Sequence, residues 1–362
     1  MNLGRCAAVP LCLCAVLLAS CGSEPPADAP RTHVYIPRGA TLAAVADTLE
    51  AHGVIEDAFR FRIYGRLFGL SHHVLPGRYG FRLGEPWGRI KEALKTGRTE
   101  DIRFTVPEGL TVRQIAELAA DTLRLARDST RGAIRDSFLA AAQDPAIRAE
   151  FGIAVSPSLR YPLEGYLLPE TYLVPYDATP RDVVRQMVRQ FVEMWDTSFD
   201  RRAAAMGLSR HQVVTLASIV EGEARIGAER RRIAGVYVNR LHRRMYLQAD
   251  PTVIYALDLE TRPRRVLLRD LKVRSPYNTY MRPGLPPGPI LNPGRSAIEA
   301  SLDPERNNFF FFVARPDGHH MFSPNGRAHA DSVAVARRLR AEFEAHRQDS
   351  IRAAAHPSGP HP

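Results

Sequence analysis

Residues 209–227 have the sequence SRHQVVTLASIVEGEARIG, which is the most informative segment of the chain. Ser209 and Gln212 have the spacing of a capping box, in which each side chain bonds the backbone of the other residue, so a helix is predicted to begin there. Apolar residues then recur at spacings of three, four and seven, and they are Val213, Val214, Ala217 and Val220. This periodicity predicts a helix with one face buried in a domain core.

Glu221 lies on or beside this buried face, four residues after Ala217. A carboxylate there costs free energy unless it is paired or protonated. Three outcomes are open: an ion pair with an arginine of the Arg-rich segment 228–245, a place at the rim of the apolar face, or a carboxyl that its surroundings keep able to donate a proton near neutral pH. Glu223, turned about 200° further round the helix, is predicted to face solvent or another element.

The N-terminus has the layout of an export signal. Arg5 precedes an apolar run, 6–21, that ends in Leu18-Ala19-Ser20-Cys21, which resembles a bacterial lipobox. The prediction is acylation of Cys21. The alternative is an uncleaved membrane anchor, although such a run barely spans a hydrocarbon core of about 30 Å. Either way, the only basic residue beside the run precedes it, which predicts that the rest of the chain lies outside the cytoplasm.

Composition limits the class of protein. A chain of 362 residues with 45% hydrophobic and 24% charged residues has enough apolar material for two or three folded domains, which excludes disorder. All four cysteines lie within the first 21 residues, so the remainder has no disulfide and no thiolate metal site. The net charge of +10 suits nucleic acid, anionic lipid or an acidic polymer equally well. Export argues against nucleic acid.

An internal repeat follows the N-terminal segment. Residues 34–41 (VYIPRGAT) return as residues 104–111 (FTVPEGLT). Each copy predicts a short strand, a Pro-x-Gly turn and a threonine that caps a helix, and Thr111 and Gln114 again have capping-box spacing. Units of this kind resemble LysM modules, which bind N-acetylglucosamine polymers. A generic strand–turn–helix unit is the alternative.

Several blocks further along resemble the endolytic murein transglycosylase family, also called MltG or YceG-like. They are EGYLLPETY (164–172), ASIVEGEA (217–224), VYVNRL (236–241), LQADPTVIYAL (247–257), SPYNTYMRPGLPPGPILNPG (275–294) and His320-Met321-Phe322. The matches run in order from about residue 33 to 340. The resemblance assigns the family's catalytic glutamate to Glu221. One departure is Gly222, where the family often has a larger polar residue.

The resemblance implies a membrane-anchored lytic transglycosylase whose catalytic region lies outside the cytoplasm. It would cut the bond between N-acetylmuramic acid and N-acetylglucosamine inside glycan strands, leave 1,6-anhydro ends, and so terminate growing strands. Peptidoglycan strands are the expected partner, with peptidoglycan synthases as candidate partners. No metal or cofactor is expected, because the chain has no metal-ligand cluster and no nucleotide-binding loop. A hydrolytic muramidase and a non-catalytic wall-binding scaffold are the alternatives.

Five further residues are predicted to contact the substrate: Gln248, Asp250, Asn278, Tyr280 and Glu164. Aromatic faces stack on sugar rings, and amides and carboxylates bond hydroxyl groups. Asp250 precedes a proline, so it could equally start a turn or a helix. Asn278 and Tyr280 could equally hold the shape of their Pro/Gly-rich loop. Glu164 and Glu170 could each supply a second carboxylate, or could equally cap or pair structurally. Glu170 and His320 are expected to be structural.

The predicted fold class is α+β, with N-terminal LysM-like βα units followed by a mixed α/β catalytic domain. Helices are predicted over 121–150 and 181–195, and extended chain over 161–175. The predicted organisation is a signal, lipobox or anchor at 1–21, a Pro-rich tether at 22–31, the repeat region at 32–155, the catalytic domain at 156–345 and a flexible tail at 346–362.

Overall fold

The chain divides into two units. The structure, a computed structural model, describes residues 30–70, 74–97, 101–124, 130–156, 159–175, 178–258 and 266–355. The first unit ends at Phe104 and also takes in Tyr172–Thr179, and the second comprises Thr105–Thr171 and continues from Pro180. No helix among the described residues is long and apolar enough to cross a membrane. The predicted signal and Cys21 lie outside the described residues.

The first unit is a two-stranded sheet packed against helices. Its elements are β1 (Arg31–Ile36), α1 (Leu42–Ala51), α2 (Ala58–Leu67), β2 (Gly77–Arg82) and α3 (Trp87–Thr96). β1 and β2 are antiparallel, with Val34 opposite Tyr79. Alternate residues of both strands are buried, because successive side chains of a strand point to opposite faces. These buried residues pack with Leu49 and Phe61 of the helices to form the core of the unit.

A second small sheet belongs almost entirely to the first unit, and helices of the second unit lie between its two strands in the sequence. β3 (Ile102–Thr105) pairs with β4 (Thr171–Val174). Between these strands lie α4 (Val112–Arg124), α5 (Arg131–Ala141) and α6 (Pro145–Glu150). The helical pattern predicted over 121–150 is confirmed in the part that the structure describes, as the end of α4 followed by α5 and α6. The extended chain predicted over 161–175 is confirmed only for β4, because residues 161–170 form buried turns and bends.

The rest of the second unit is built around one central helix. The remaining elements are α7 (Pro180–Met194), α8 (Thr197–Ala205), α9 (Arg210–Glu223), α10 (Arg230–His242), α11 (Asp250–Ala256), α12 (Arg295–Leu302), β5 (Phe311–Ala314), β6 (His320–Ser323) and α13 (Gly326–Ala355). The helix predicted from the Ser209 capping box is α9, and both hydrogen bonds of the box are present. Every residue from 213 to 220 is buried. The prediction that only one face of this helix is buried is therefore wrong. α9 is enclosed on all sides, as expected of a helix in the middle of a domain.

Helices α10, α11 and α12 pack against α9. Leu216, Ile219 and Val220 of α9 form a core with Tyr237 of α10 and Tyr255 of α11. Strands β5 and β6 are antiparallel, with Phe312 opposite Phe322. The mixed structure, mostly helical with small sheets, agrees with the predicted α+β class.

The local structure of the repeat is confirmed in both copies. Gly39 and Gly109 have φ angles of 79° and 80°, a backbone conformation that suits glycine because it has no Cβ. The Thr41 hydroxyl accepts a hydrogen bond from the Ala44 N–H at 3.2 Å, and Thr111 and Gln114 form their capping box. The copies then diverge: α1 is followed by α2 and the antiparallel strand β2, whereas α4 is followed by two further helices.

The C-terminal helix continues further than expected. The predicted tail begins at residue 346, but α13 extends to Ala355. Residues 341–355 are rich in Ala, Glu and Arg, which have high helix propensity even without a packed face. Residues 356–362 lie outside the described part of the chain.

Candidate active site

Glu221 is the first residue after the enclosed part of α9. Its side chain is 7% exposed, and both carboxylate oxygens have donors. Oε1 accepts a hydrogen bond from Arg230 Nη2 at 2.8 Å, and Oε2 accepts one from the backbone N–H of Gly294 at 3.3 Å. The ion pair with an arginine of the next helix is therefore confirmed, because Arg230 is the first residue of α10. The two hydrogen bonds fix the position of the Glu221 carboxyl group.

A second carboxyl, Glu108, lies beside Glu221. Its Oε2 accepts a hydrogen bond from the same Arg230 nitrogen at 3.2 Å, and its side chain is 45% exposed. Burial, together with the negative charge of Glu221, raises the pKa of Glu108, and the positive charge of Arg230 opposes this effect. The sequence prediction missed this residue. The repeat gave no indication of it, because the matching position of the first copy is Arg38.

Gly294 packs directly under the Glu108 carboxyl. A Cβ atom at position 294 would lie 1.8 Å from Glu108 Oε1 and 2.1 Å from its Cδ. Real Cβ atoms do not approach other heavy atoms so closely, so any side chain at this position would displace Glu108. The NPG sequence that precedes α12 thus supplies both an N–H donor to Glu221 and the space that Glu108 occupies.

Arg230 has unused donor capacity. Its side chain is 17% exposed, and its Nε is buried with no hydrogen-bond partner within the described residues. The turn before it is also tight, since a Cβ at Gly227 would lie 2.9 Å from Arg230 Nη1. The guanidinium is therefore held closely on one side, while one of its N–H groups is free to donate.

Asn292 connects the turn that carries Glu108 to the chain that carries Gly294. Its backbone bonds Gly109 and Leu110 at 3.0 and 2.9 Å. Its side chain is 1% exposed, accepts hydrogen bonds from the N–H groups of Gly165 and Leu167, and donates one to the Leu110 carbonyl. Asn292 thereby fixes three loops around the carboxyl pair. The sequence prediction did not single it out.

Glu223 faces another element rather than solvent. The Tyr237 hydroxyl of α10 donates a hydrogen bond to Glu223 Oε1 at 3.0 Å, and the Asp250 N–H at the start of α11 also bonds the carboxyl. Burial raises the pKa of Glu223 to about 7. The Tyr237 hydrogen bond and Arg240 oppose the rise, and the charge of Asp250 adds to it.

Three of the predicted contact residues lie close together near the start of α11. Asp250 is the first residue of α11, as the Asp-Pro alternative predicted, and its Oδ1 accepts a hydrogen bond from the Tyr280 hydroxyl at 2.7 Å. Gln248 is exposed, has a φ of 50°, and donates its backbone N–H to the Thr279 carbonyl. Gly222 of α9 packs against α11, since a Cβ there would lie 2.9 Å from Pro251 Cβ. A larger residue at position 222 would therefore need α11 to move.

Asn278 and Glu164 lie behind this surface. Asn278 is fully buried, donates to the Leu271 and Val273 carbonyls and accepts from the Tyr280 N–H. Glu164 is 2% exposed and accepts hydrogen bonds from the Val112 N–H at the start of α4, the Asn292 amide and the Tyr255 hydroxyl. Both side chains satisfy buried donors and acceptors of loops, so neither presents a polar group to a glycan in this structure.

His320 and Glu170 have protein partners. His320 Nδ1 lies 2.7 Å from Glu229 Oε2, and the His320 N–H bonds the same carboxyl. Burial alone would raise the pKa of Glu229, but the hydrogen bonds from His320 and His319 outweigh it and lower this pKa. Glu229 directly precedes Arg230, so His320 helps to fix the turn that carries the arginine. Glu170 is exposed and accepts from the Thr171 N–H. Among the described residues, no cluster of His, Cys, Asp and Glu side chains could hold a metal ion.

Comparisons with known proteins agree on one family. A relative from Bacillus subtilis, named endolytic murein transglycosylase, is 33% identical over 309 residues, which is 82% of this chain and 82% of that protein. Relatives of the same name from two Streptococcus pneumoniae strains are 28% identical over 322 residues. Those residues are 83% of this chain but 57% of the pneumococcal proteins, so the chain spans little more than half of their length.

A crystal structure of a YceG-like protein from Listeria monocytogenes has a similar fold. It superposes with a TM-score of 0.58 at 30% sequence identity, covering 84% of this chain and 99% of that one. The sequence profile of the YceG-like family matches residues 34–335, a span that includes Glu108, Glu221, Arg230 and Gly294. The protein belongs to the YceG-like family.

Proposed function

We infer that this protein is an endolytic lytic transglycosylase of peptidoglycan, with Glu221 as its catalytic acid and base. The names of its relatives support the activity and the substrate. The observation that carries the assignment of Glu221 is its position: a carboxyl 7% exposed, at the end of an enclosed helix and held by two donors from other segments. A group fixed in this way can transfer a proton with little reorganisation.

The reaction needs two proton transfers and no water. Glu221 first donates a proton to the oxygen that joins C1 of N-acetylmuramic acid to N-acetylglucosamine, and the C1–O bond breaks. The resulting carboxylate then removes the proton from the C6 hydroxyl of the same muramic ring, whose oxygen bonds C1. The products are a 1,6-anhydro end and a new N-acetylglucosamine end, and Glu221 regains its proton. One carboxyl serves both steps because the second nucleophile is tethered in the substrate.

The surface at the start of α11 is proposed to bind the glycan. Gln248 and Asp250 are exposed there, and the ring of Tyr280 is partly exposed beside them. Amide, carboxylate and aromatic groups together suit the hydroxyl groups and apolar faces of sugar rings. Asn278 and Glu164 act indirectly in this proposal, by holding the loops that carry Tyr280 and α4.

Glu108 favours one alternative reaction. A hydrolytic muramidase needs a pair of carboxyl groups, one as the acid and one to activate water or attack the sugar. Glu108 shares Arg230 with Glu221 and could supply the second group. The product distinguishes the two reactions, since hydrolysis leaves a reducing muramic end in place of a 1,6-anhydro end.

The location of the enzyme is also a proposal. Residues 1–21 are proposed to place the catalytic unit outside the cytoplasm, at the membrane, through acylated Cys21 or an uncleaved helix. The first unit, with its strand–helix–helix–strand order, is proposed to be LysM-like and to bind glycan strands. Cleavage close to the membrane would terminate growing strands and would bring the protein near peptidoglycan synthases. A non-catalytic scaffold would use the same binding unit but would tolerate the loss of Glu221.

Mass spectrometry of products from purified, uncrosslinked glycan strands tests the proposed function. We expect fragments from the interior of strands that carry 1,6-anhydromuramic ends and almost no reducing muramic ends. Strands incubated in ¹⁸O-labelled water provide the control, because lytic cleavage incorporates no label at the new end. Reducing muramic ends that carry ¹⁸O would replace the transglycosylase with a muramidase. Intact strands would favour the scaffold.

A further inference from the structure

One guanidinium nitrogen serves two carboxyl groups in the candidate active site. Arg230 Nη2 is 2.8 Å from Glu221 Oε1 and 3.2 Å from Glu108 Oε2. Glu221 is almost completely buried, whereas Glu108 is 45% exposed. The three charges therefore form a connected group in which a change of charge at one carboxyl affects the other, both directly and through the arginine.

Glu108 is built into this group from both sides. Its turn is held by the two backbone hydrogen bonds between Asn292 and residues 109 and 110, and its carboxyl fills the space above Gly294. Gly109 also brings the turn close to the catalytic glutamate, since a Cβ there would lie 3.8 Å from Glu221 Cγ. The position of the Glu108 carboxyl therefore depends on a glycine at position 294 of the opposing loop, which a carboxyl on an unconstrained exposed turn would not require.

Charge balance shows what the second carboxyl can do. If Arg230 had Glu221 as its only partner, protonating Glu221 would leave a largely buried guanidinium without a counter-ion, which is costly. With Glu108 present, the arginine keeps a negative partner while Glu221 carries its proton. Once Glu221 has given that proton to the leaving oxygen, the group has a net charge of −1, which complements the positive charge that develops on the muramic ring.

We propose that Glu108 is a positioning residue for the reaction: it holds Arg230 whenever Glu221 is protonated, and so keeps the acid form of Glu221 available at neutral pH. This inference rests on the proposed function, in which Glu221 is the acid and base. Burial and the negative charge of Glu221 raise the pKa of Glu108, so the two carboxyl groups interact electrostatically. Two carboxyl groups that repel each other around one cation do not readily ionise together.

Other charged groups on the adjoining segments are engaged elsewhere. Glu223, at the end of α9, bonds Tyr237 and the N–H of Asp250. Glu229, directly before α10, bonds His320 and His319. On the segment before α12, Gly294 contributes only its N–H to Glu221. Glu108 and Arg230 are therefore the charged partners through which pH acts on Glu221 in this proposal.

The test is the pH–activity profile of Glu108→Gln. The substitution removes the second negative partner of Arg230, so the arginine pairs with Glu221 alone. The protonated form of Glu221 should then be less populated. We expect the loss of activity on the alkaline side of the profile to occur about one pH unit lower than in the wild type, because a nearby opposite charge shifts the pKa of a carboxyl by about one to three units. The rate at pH 7.5 should therefore be about tenfold lower than that of the wild type, and it should recover at lower pH. Glu108→Asp, which keeps the charge but withdraws it, should fall between the two.

Glu305→Gln is the matched control. Glu305 pairs at 2.8 Å with Arg232, which lies on the same helix as Arg230, and the exposure of Glu305 is similar to that of Glu108. Its profile should match that of the wild type.

Two results would overturn the inference. One is an unchanged profile in Glu108→Gln, and the other is an equal loss of rate at every pH, which would indicate a purely structural role. Failure of the proposed function is distinguishable, because then Glu221→Gln would stay active or the wild type would release no 1,6-anhydro ends.

Discussion

The Tyr237 hydroxyl donates a 3.0 Å hydrogen bond to Glu223, and this contact turns the last carboxyl of α9 into the protein instead of toward solvent. The carboxyl also bonds the N–H of Asp250. Glu223 thus joins the end of α9 to α10 and to the start of α11. The pKa of Glu223, raised to about 7 mainly by burial, makes this junction sensitive to pH.

Glu223 is expected to make the protein less stable as the pH rises. A carboxyl with a raised pKa in the folded state binds its proton more tightly there than in the unfolded chain, so its stabilisation is complete below about pH 4.5 and is lost as the pH rises through about 7. The free energy of unfolding should fall by on the order of 3 kcal/mol across this window. In Glu223→Gln it should disappear, and activity should fall far less than in Glu221→Gln. Urea unfolding of the wild type and of Glu223→Gln at pH 4.5 and 7.5 measures this change in the free energy of unfolding.

Asn292 is expected to be among the most sensitive polar residues of the second unit. Asn292→Ala leaves the buried N–H groups of Gly165 and Leu167 without an acceptor, whereas the Leu110 carbonyl keeps the backbone N–H of residue 292. Each unsatisfied buried group costs about 1–3 kcal/mol, so a loss of at least about 2 kcal/mol is expected. Asn325→Ala is the control: it removes an exposed hydrogen bond to the Ala328 N–H and should cost about 1 kcal/mol. Thermal unfolding of the two variants should rank them in this order, and equal costs would remove the central role of Asn292.

Gly294→Ala should damage activity more than stability. The new Cβ would meet the Glu108 carboxyl, which is partly exposed and can move outward, so the cost in stability should stay near the lower end of the 1–3 kcal/mol typical of overpacking. Displacing Glu108 should reproduce the pH profile expected for Glu108→Gln. Gly132→Ala is the control, since a Cβ there meets open space on α5. A Gly294→Ala protein with the wild-type profile would show that this contact has no role in the reaction.

The parts of the fold set by neighbouring residues were accessible from the sequence. Ser209 and Gln212 are three residues apart, and their mutual hydrogen bonds depend on little beyond that spacing, so the start of α9 was predictable. The same holds for Thr111 and Gln114. The full enclosure of α9 was not predictable, because it depends on helices that come later in the chain.

The candidate active site was likewise predictable only where its contacts are local in the sequence. Glu221 could be singled out because an acid interrupts an apolar run, and its arginine partner lies only nine residues away. Glu108 could not, since it meets Arg230 across 122 residues of sequence. Asn278 and Glu164 were expected on the glycan surface, but polar residues in Pro/Gly-rich loops are also needed by buried backbone groups. Sequence does not reveal which of these two uses a given side chain has.

The N-terminus gives a prediction that is independent of the site. If Leu18-Ala19-Ser20-Cys21 acts as a lipobox, the mature protein begins at Cys21 and carries acyl chains. Intact-mass spectrometry of protein purified from its native membrane should then show the loss of residues 1–20 and the added lipid mass. Cys21→Ser should retain the full N-terminus. An unmodified Cys21 with residues 1–20 attached in the wild type would establish the uncleaved anchor instead.

Glu221→Gln should abolish cleavage while the protein stays folded. The amide keeps the shape of the carboxyl and can still accept a hydrogen bond from Arg230 or Gly294, but it has no proton to give to the glycosidic oxygen. General acid–base catalysis contributes about 10²- to 10⁴-fold, and here one group performs both transfers, so activity should fall by at least that factor. The melting temperature should change little, since no volume is lost and the charge removed is nearly buried. Release of anhydromuropeptides, measured beside Glu223→Gln, separates chemistry from folding. Wild-type cleavage by Glu221→Gln would exclude this residue as the catalyst, whatever the other variants show.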